Sequence, residues 1–270
     1  MTRQDHAPHH LRGDEVQLWR FFYEDAWAQD ALIAADYHTL ITSDERQRML
    51  AFRFEKDQRQ YLAARALVRT VLSLQAGIPP AEWHFGATAR GKPFIEGPAT
   101  PTPLHFNLAH THGLVMCAVS TAHARLGVDV ESIDRRTAAL DIADSHFSPT
   151  ECTWLRSVPA EQLPQAFMQL WTLKEAWIKA TGEGLSAELN QCIFALPARP
   201  VAGPAAVPAT FHGDSTQQGA HWRFMQAVLQ DRFAVAVGAD TQGQALKCRV
   251  FDTVPLRHHA ERPELAFMAA

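Results

Sequence analysis

Two stretches of this chain follow one plan, and that repetition restricts the available folds more than any single motif does. Across residues 56–75 apolar side chains recur at helical spacing (Tyr61, Leu62, Leu67, Val68, Val71 and Leu72, with alanines between), and the pattern stops at Gly77 and Pro79-Pro80. Across residues 164–180 a second long helical pattern ends at Gly182, and strand-like segments follow both helices. An amphipathic helix hides its apolar stripe only against a sheet or another helix. The expected class is therefore α+β, two similar halves with a cleft between them, the kind of place where small ligands sit. The halves fall at residues 16–122 and 123–240, joined near residues 121–125, with residues 1–15 and 241–270 as a peripheral leader and tail.

Local signals supply the other elements. Residues 16–23 read as a first strand and residues 30–41 as a helix, with Ser43 or Asp44 placed to cap the stretch that follows. Strands are expected at residues 83–87, at 93–95 beyond the Gly91-Lys92 turn, at 113–120 and at 126–131. Further helices are expected at residues 139–146 and 149–156, and strands at 192–196, 222–228 and 233–237. The Pro- and Ala-rich residues 197–208 read as a surface loop.

Composition removes several classes of function. Cys117, Cys152, Cys192 and Cys248 are scattered singly, which fits reduced thiols in a cytoplasmic protein and not a disulfide framework or zinc knuckle. The polar, His- and Pro-containing leader has no apolar core of the signal-peptide kind, and no later apolar run approaches membrane-spanning length. A formal net charge of −4 argues against general nucleic-acid binding. Arg46, Arg48, Arg53, Arg59, Arg65 and Arg69 form a local basic stretch, interrupted by Glu45, Glu55 and Asp57, whose ordinary reading is a solvated helix face laced with ion pairs.

The chemistry is concentrated in three carboxylates. In Gly127-Val128-Asp129-Val130-Glu131 the period of two puts Asp129 and Glu131 on one, wet, face of a strand and sends Val128 and Val130 into the core. Like charges so placed repel unless a cation lies between them. Glu175 and Lys179 stand one helical turn apart in Trp171-Thr172-Leu173-Lys174-Glu175-Ala176-Trp177-Ile178-Lys179. That pair alone reads as a surface ion pair, but the flanking tryptophans make the helix a buried one. An all-oxygen acidic site suits magnesium, and magnesium suits phosphate chemistry. The run from Leu104 to His112 carries three histidines, without a third soft ligand for zinc. His110 reads either as a loop histidine with its hydrogen bonds satisfied or as a group beside a phosphate. Lys92, in a turn, is by default solvated, although a turn lysine reaches a phosphate as a point charge. Neither a Gly-rich phosphate loop nor a recognisable nucleophile setting is present.

Taken together, the ordered motifs resemble the 4'-phosphopantetheinyl transferase superfamily, in its larger, surfactin-synthetase-activating type. The resemblance covers residues 46–185 and runs through Tyr61-Leu62-Ala63-Ala64-Arg65-Ala66-Leu67-Val68-Arg69, Gly91-Lys92-Pro93, Phe106-Asn107-Leu108-Ala109-His110, the strand acids, and the Glu175 helix followed by Gly182-Glu183-Gly184-Leu185. It implies a monomeric pseudo-dimer that binds coenzyme A in the cleft. It implies that Asp129, Glu131 and Glu175 hold magnesium on the pyrophosphate, and that Arg48, Arg53, Lys92 and His110 contact phosphates or adenosine. The implied reaction moves the phosphopantetheine arm onto a serine of an acyl, peptidyl or aryl carrier protein and leaves adenosine 3',5'-bisphosphate. Glu175, or a water beside it, would take the serine proton, while Lys179 would offset charge on the α-phosphate. Ala109 departs from the pattern, which usually has serine there, and Thr111 or a basic side chain is a candidate to cover the contact in its place. The rival readings are a magnesium-dependent phosphohydrolase using the same acids and a coenzyme A- or carrier-binding module without turnover.

Overall fold

The computed structural model describes residues 10–30, 32–134, 139–184, 189–212 and 221–269. The first half comprises β1 (Glu15–Phe21), α1 (Tyr23–Gln29), α2 (Ile33–His38), α3 (Ser43–Leu50), α4 (Glu55–Ala76), β2 (His84–Ala87), β3 (Pro93–Gly97), β4 (His105–Thr111) and β5 (Leu114–Ser120). The second comprises β6 (Leu126–Ser132), α5 (Ala139–His146), α6 (Pro149–Ser157), α7 (Leu163–Thr181), β7 (Cys192–Phe194), β8 (Ala205–Ala206), β9 (Ala209–Phe211), β10 (Trp222–Leu229) and β11 (Phe233–Asp240). The chain then adds β12 (Leu246–Val254), β13 (His258–Glu261) and β14 (Phe267–Ala269).

Strand alternation arranges these elements in layers. In β1, Trp19 and Phe21 face the apolar stripe of α4, while Val16 and Leu18 face the opposite way. In the second half, Phe224 of β10 and Ala234 and Ala236 of β11 face α7, whereas Met225, Val235 and Val237 face the same inner layer as Val16 and Leu18. The order is helix, sheet, sheet, helix, with one apolar layer shared by the two sheets. Both α+β halves anticipated from the repeated helix plan are therefore present.

The two halves share a buried anchor as well. Thr42 caps α3 and forms a capping box with Glu45; Ser148 caps α6 and does the same with Glu151. Each capping glutamate then meets a fully buried cation on its long helix: Glu45 holds Arg69 at 2.6 Å, and Glu151 holds Lys174 at 2.7 Å. Arg69 also donates to Pro80 O and Trp83 O, and Lys174 to Leu189 O and Cys192 O, backbone acceptors just past each helix. The cations stand equally far before Gly77 and Gly182, the left-handed residues that end the two helices. Arg69 is thus no member of a solvated face.

Several expected boundaries shift. Thr42, not Ser43 or Asp44, is the cap of α3. The first strand stops at Phe21, and Tyr23 already belongs to α1, an unexpected helix; within residues 30–41 the helix is the shorter α2, Ile33–His38. Residues 105–111, read as a histidine-bearing run, are strand β4, paired antiparallel with β5. The largest correction concerns the tail, which is not peripheral. β12 lies parallel to β1, with Val16 opposite Cys248 and Leu18 opposite Val250, and β13 and β14 extend that sheet. A bare β1 edge would expose unpaired backbone groups, and Leu246, Cys248 and Val250 add to the inner layer. The leader's residues 1–9 and Leu185 lie outside the described residues.

One close approach positions the site. β6 is an edge strand of the second sheet, beside β11, and α7 crosses it at Gly127, where a Cβ would come within 1.9 Å of Ala176 O. The Gly127, Asp129 and Glu131 face of β6 is therefore covered by α7, and the wet face expected from alternation is a roofed one. Gly127→Ala is expected to force strand and helix apart and cost on the order of 3 kcal/mol, as overpacking does. Thermal unfolding checks it, and an unchanged midpoint would contradict this packing.

Candidate active site

The acids meet where α7 roofs β6. Asp129 is 6% exposed, its Oδ1 accepts from Lys179 Nζ at 2.6 Å, and its Oδ2 is buried with no hydrogen-bond partner. Lys179 lies one turn beyond Glu175 on α7. Desolvation, followed by the charges of Asp129 and, after the relief from Lys179, of Glu131, raises the Glu175 carboxyl to about 6. That mutual influence places the three carboxylates in one neighbourhood.

The first half closes this neighbourhood from the other side. Residues 107, 109 and 111 of β4 lie along β6: Asn107 Oδ1 accepts from Val128 N at 2.9 Å, and Thr111 Oγ1 donates to Glu131 Oε2 at 3.5 Å. Asn107 thereby satisfies an edge amide of β6 that no neighbouring strand takes. Ala109 packs in the apolar layer between the sheets. Thr111, whose hydroxyl is the expected substitute for a serine at 109, is engaged with Glu131. His110 points to the opposite face of β4, where Gln60 of α4 meets its Nδ1 at 2.6 Å. Desolvation by the surrounding protein, then the charge of Lys179, holds its pKa below the ordinary histidine value, although one side of the residue stays open to solvent.

Lys92 is not the solvated turn lysine of the default reading. Its Nζ donates to Ala180 O at 3.0 Å and to Leu126 O at 3.4 Å, joining the end of α7 to the start of β6. Burial, with Arg125 nearby, lowers its pKa to about 8. Arg90 adds a second link from the same turn, donating to Glu183 O at 2.6 Å. Arg48 lies apart from the acids, in a groove of about 450 Å³ lined also by Arg65, Arg69, His84 and the Gly91 and Pro93 flanks of Lys92. Arg53 is exposed, its guanidinium 5.3 Å over the ring of Phe54. Asp129, Glu131, Glu175, Lys179 and His110 are thus brought together, Lys92 stands behind them, and Arg48 and Arg53 belong to the periphery of the first half.

Among the described residues, no group of three or more His, Cys, Asp or Glu forms a metal-ready cluster. The closed carboxylate trio expected from the motifs is accordingly not assembled, since Asp129 engages Lys179 and Glu131 engages Thr111. Magnesium nonetheless fits this donor set in its usual manner. It takes one or two carboxylates plus water and substrate phosphates, seldom a complete protein cage, and Asp129 Oδ2 is a buried anionic oxygen without a partner. The acids, however, come from one half only. Counted back from Gly182 and Gly77, Glu175 and Lys179 align with Thr70 and Leu74, so α4 carries no counterpart acid.

Comparison with known proteins agrees with both the layout and the motifs. Residues 26–122 match a family described as 4'-phosphopantetheinyl transferase, N-terminal, and residues 125–238 match the 4'-phosphopantetheinyl transferase superfamily. A Nostoc protein named 4'-phosphopantetheinyl transferase HetI is 32% identical over 227 residues, covering 84% of this chain and 88% of its own length. Two Bacillus subtilis proteins are similar as well: one named 4'-phosphopantetheinyl transferase, 33% identical over 61% of this chain and 68% of its own length, and 4'-phosphopantetheinyl transferase Sfp, 31% identical over 57% and 66%. Among the described residues no helix is long and apolar enough to cross a membrane. With two halves, one acid-bearing strand under one acid-bearing helix, and family matches spanning both, this chain is an enzyme belonging to the 4'-phosphopantetheinyl transferase superfamily.

Proposed function

We propose that the protein, acting as a cytoplasmic monomer, moves the 4'-phosphopantetheine arm of coenzyme A onto a serine of an apo acyl, peptidyl or aryl carrier protein, in a magnesium-dependent reaction that releases adenosine 3',5'-bisphosphate. The observation that carries this reading is the buried, half-unpartnered carboxylate of Asp129, roofed by the helix that bears Glu175 and Lys179. Asp129, Glu131 and Glu175 would hold the magnesium ion, which when bound supplies positive charge against the pyrophosphate. The residues around it divide the remaining work. Glu175, with its carboxyl raised to about 6, is largely ionised at neutral pH yet basic enough to take the serine proton as the hydroxyl oxygen attacks the β-phosphorus. Lys179 offers its ammonium to the α-phosphate oxygen that gains charge as the bond to the β-phosphorus breaks. His110 and Lys92 would hold phosphate oxygens. Arg48 and Arg53, on the first half, would serve the adenosine end.

Intact-mass spectrometry tests the reading directly. Apo carrier proteins from fatty acid, polyketide and nonribosomal peptide systems, incubated with the protein, coenzyme A and magnesium, are expected to gain one phosphopantetheine arm. Loss of coenzyme A without a mass gain on any carrier would favour hydrolysis instead. A second expectation concerns pH. Lys92 is charged below about 8 and loses its proton above it, so coenzyme A affinity should weaken as pH rises through that value. Calorimetric titration checks this, and Lys92→Met should bind more weakly at neutral pH and show a flat profile; an unchanged slope would remove Lys92 from the phosphate contacts.

A further inference from the structure

We infer that the protein carries a second ligand site, for the aliphatic chain of a small neutral molecule, in the layer between its two sheets. A cavity of about 350 Å³ opens there, between β12, β1 and β5 of one sheet and β10 and β11 of the other, outside the β6 strand that bears Asp129 and Glu131. Its walls come from both halves: Leu18, Met116 and Val250 on one side, Met225, Val235 and Val237 on the other, all buried. No titratable group lines it. Gln226, the single polar residue of the lining, falls on the opposite face of β10 from Met225 by strand alternation, so the space itself is apolar.

Close-packed interiors seldom leave a void of this size, and an apolar void offers water no hydrogen bonds, so it stays dry and takes apolar guests. The volume lies within the range of small-molecule pockets, about 300–1,000 Å³. Facing sheets leave a slot, which suits a chain more than a bulky ring system. The mouth is preformed. Gln165 Nε2 and Gln169 Nε2 both donate to Val201 O, at 3.0 and 2.6 Å, Val201 N donates to Gln169 Oε1, and Val228 N donates to Ala202 O. These bonds fix the residue 201–204 rim, while Leu265 and Phe267 of the tail form the facing rim. Methionines on both walls allow adjustment to chain length. Because the walls belong to different halves and to the tail, an occupant would clamp the halves together without entering the candidate active site. The inference is independent of the reaction proposed above.

The test uses the full chain and N-decyl dansylamide, a neutral fluorophore whose decyl chain is the part that would enter, with decanol as competitor. The expected result is saturable fluorescence at one site, displacement by decanol, and a rise in the midpoint of thermal unfolding with decanol. Ala227→Phe, which fills the cavity from β10, should weaken binding at least tenfold. Gly203 has no left-handed φ and has open space about its Cα, so Gly203→Phe at the rim should fold even where the core variant does not, and should also weaken binding at least tenfold. Absence of saturable binding, or undiminished decanol displacement in folded Gly203→Phe, would overturn the site. Carrier modification does not enter this readout, so the outcome is separable from that of the proposed reaction.

Discussion

Replacing Glu151 by alanine is expected to be among the most destabilising single changes in this protein, lowering stability by roughly 3–5 kcal/mol, the usual consequence of stranding a buried charge. Lys174 would keep its ammonium at a fully buried position, with only backbone carbonyls for partners. Desolvation already pulls the pKa of Lys174 down even with Glu151 present, so the lone cation would shed its proton or draw in water. Ser148 N, Ser148 Oγ and Phe194 N would lose their acceptor at the same time. In a chain of this size the unfolding midpoint should fall on the order of 10 °C. Pairing Glu151→Leu with Lys174→Met should recover the charge penalty but not the abandoned Ser148 and Phe194 amides, leaving the double variant between the two. Glu45→Ala should act likewise on Arg69 in the first half. Melts by circular dichroism separate these cases. A loss below about 1 kcal/mol in Glu151→Ala would show that the capping glutamate does not anchor α7.

The same pair shows which parts of the protein are legible in sequence. Helices α4 and α7 are plain because a long apolar stripe and a terminal glycine are local signals. So is β6, whose alternation is strict. What the alternation misreports is the environment of its polar face: Asp129 is roofed because Gly127 lets α7 approach, and a glycine two residues before an acid does not announce a helix from elsewhere in the chain. β4 is hidden because His105, Asn107, His110 and Thr111 make no apolar alternation, and because its stability comes from pairing with β5 and from contact with β6. The tail is misjudged for a related reason. β12 is held by β1, far earlier in the chain, and no local signal marks a parallel partner. Arg69 reads as solvated since its charge is local, while Glu45, Pro80 O and Trp83 O, which make its burial tolerable, are brought to it by folding. Of the site, the acids and Lys179 are legible by residue type and spacing. Gln60 and Asn107, which hold His110 and β6 in place, are not.

Asp129→Ala is expected to reduce transfer to carrier protein by more than roughly 100-fold, beyond what removal of a supporting group around a metal ligand usually costs, while leaving the fold nearly as stable as before. Two effects oppose each other in the folded state. The variant loses the 2.6 Å ion pair with Lys179, but the lysine side chain is 29% exposed and can turn to water, so that loss is small. It also loses a buried carboxylate oxygen that has no partner, which removes an unfavourable desolvation. The near-cancellation makes stability a clean control for activity. Asp129→Asn keeps the shape and discards the charge, and should behave as the alanine variant does if the charge is what matters. Glu175→Gln probes the other acid: it should remove the proton acceptor, so single-turnover transfer should fall steeply, and near-normal transfer would assign the base elsewhere. The decisive measurement for Asp129 is calorimetric titration with coenzyme A in the presence and absence of magnesium. Wild-type protein should bind coenzyme A more tightly with the ion, and Asp129→Ala should show no such difference. Retained magnesium-dependent binding in that variant would mean that the roofed strand acid serves the packing of α7 on β6 and takes no part in holding the metal.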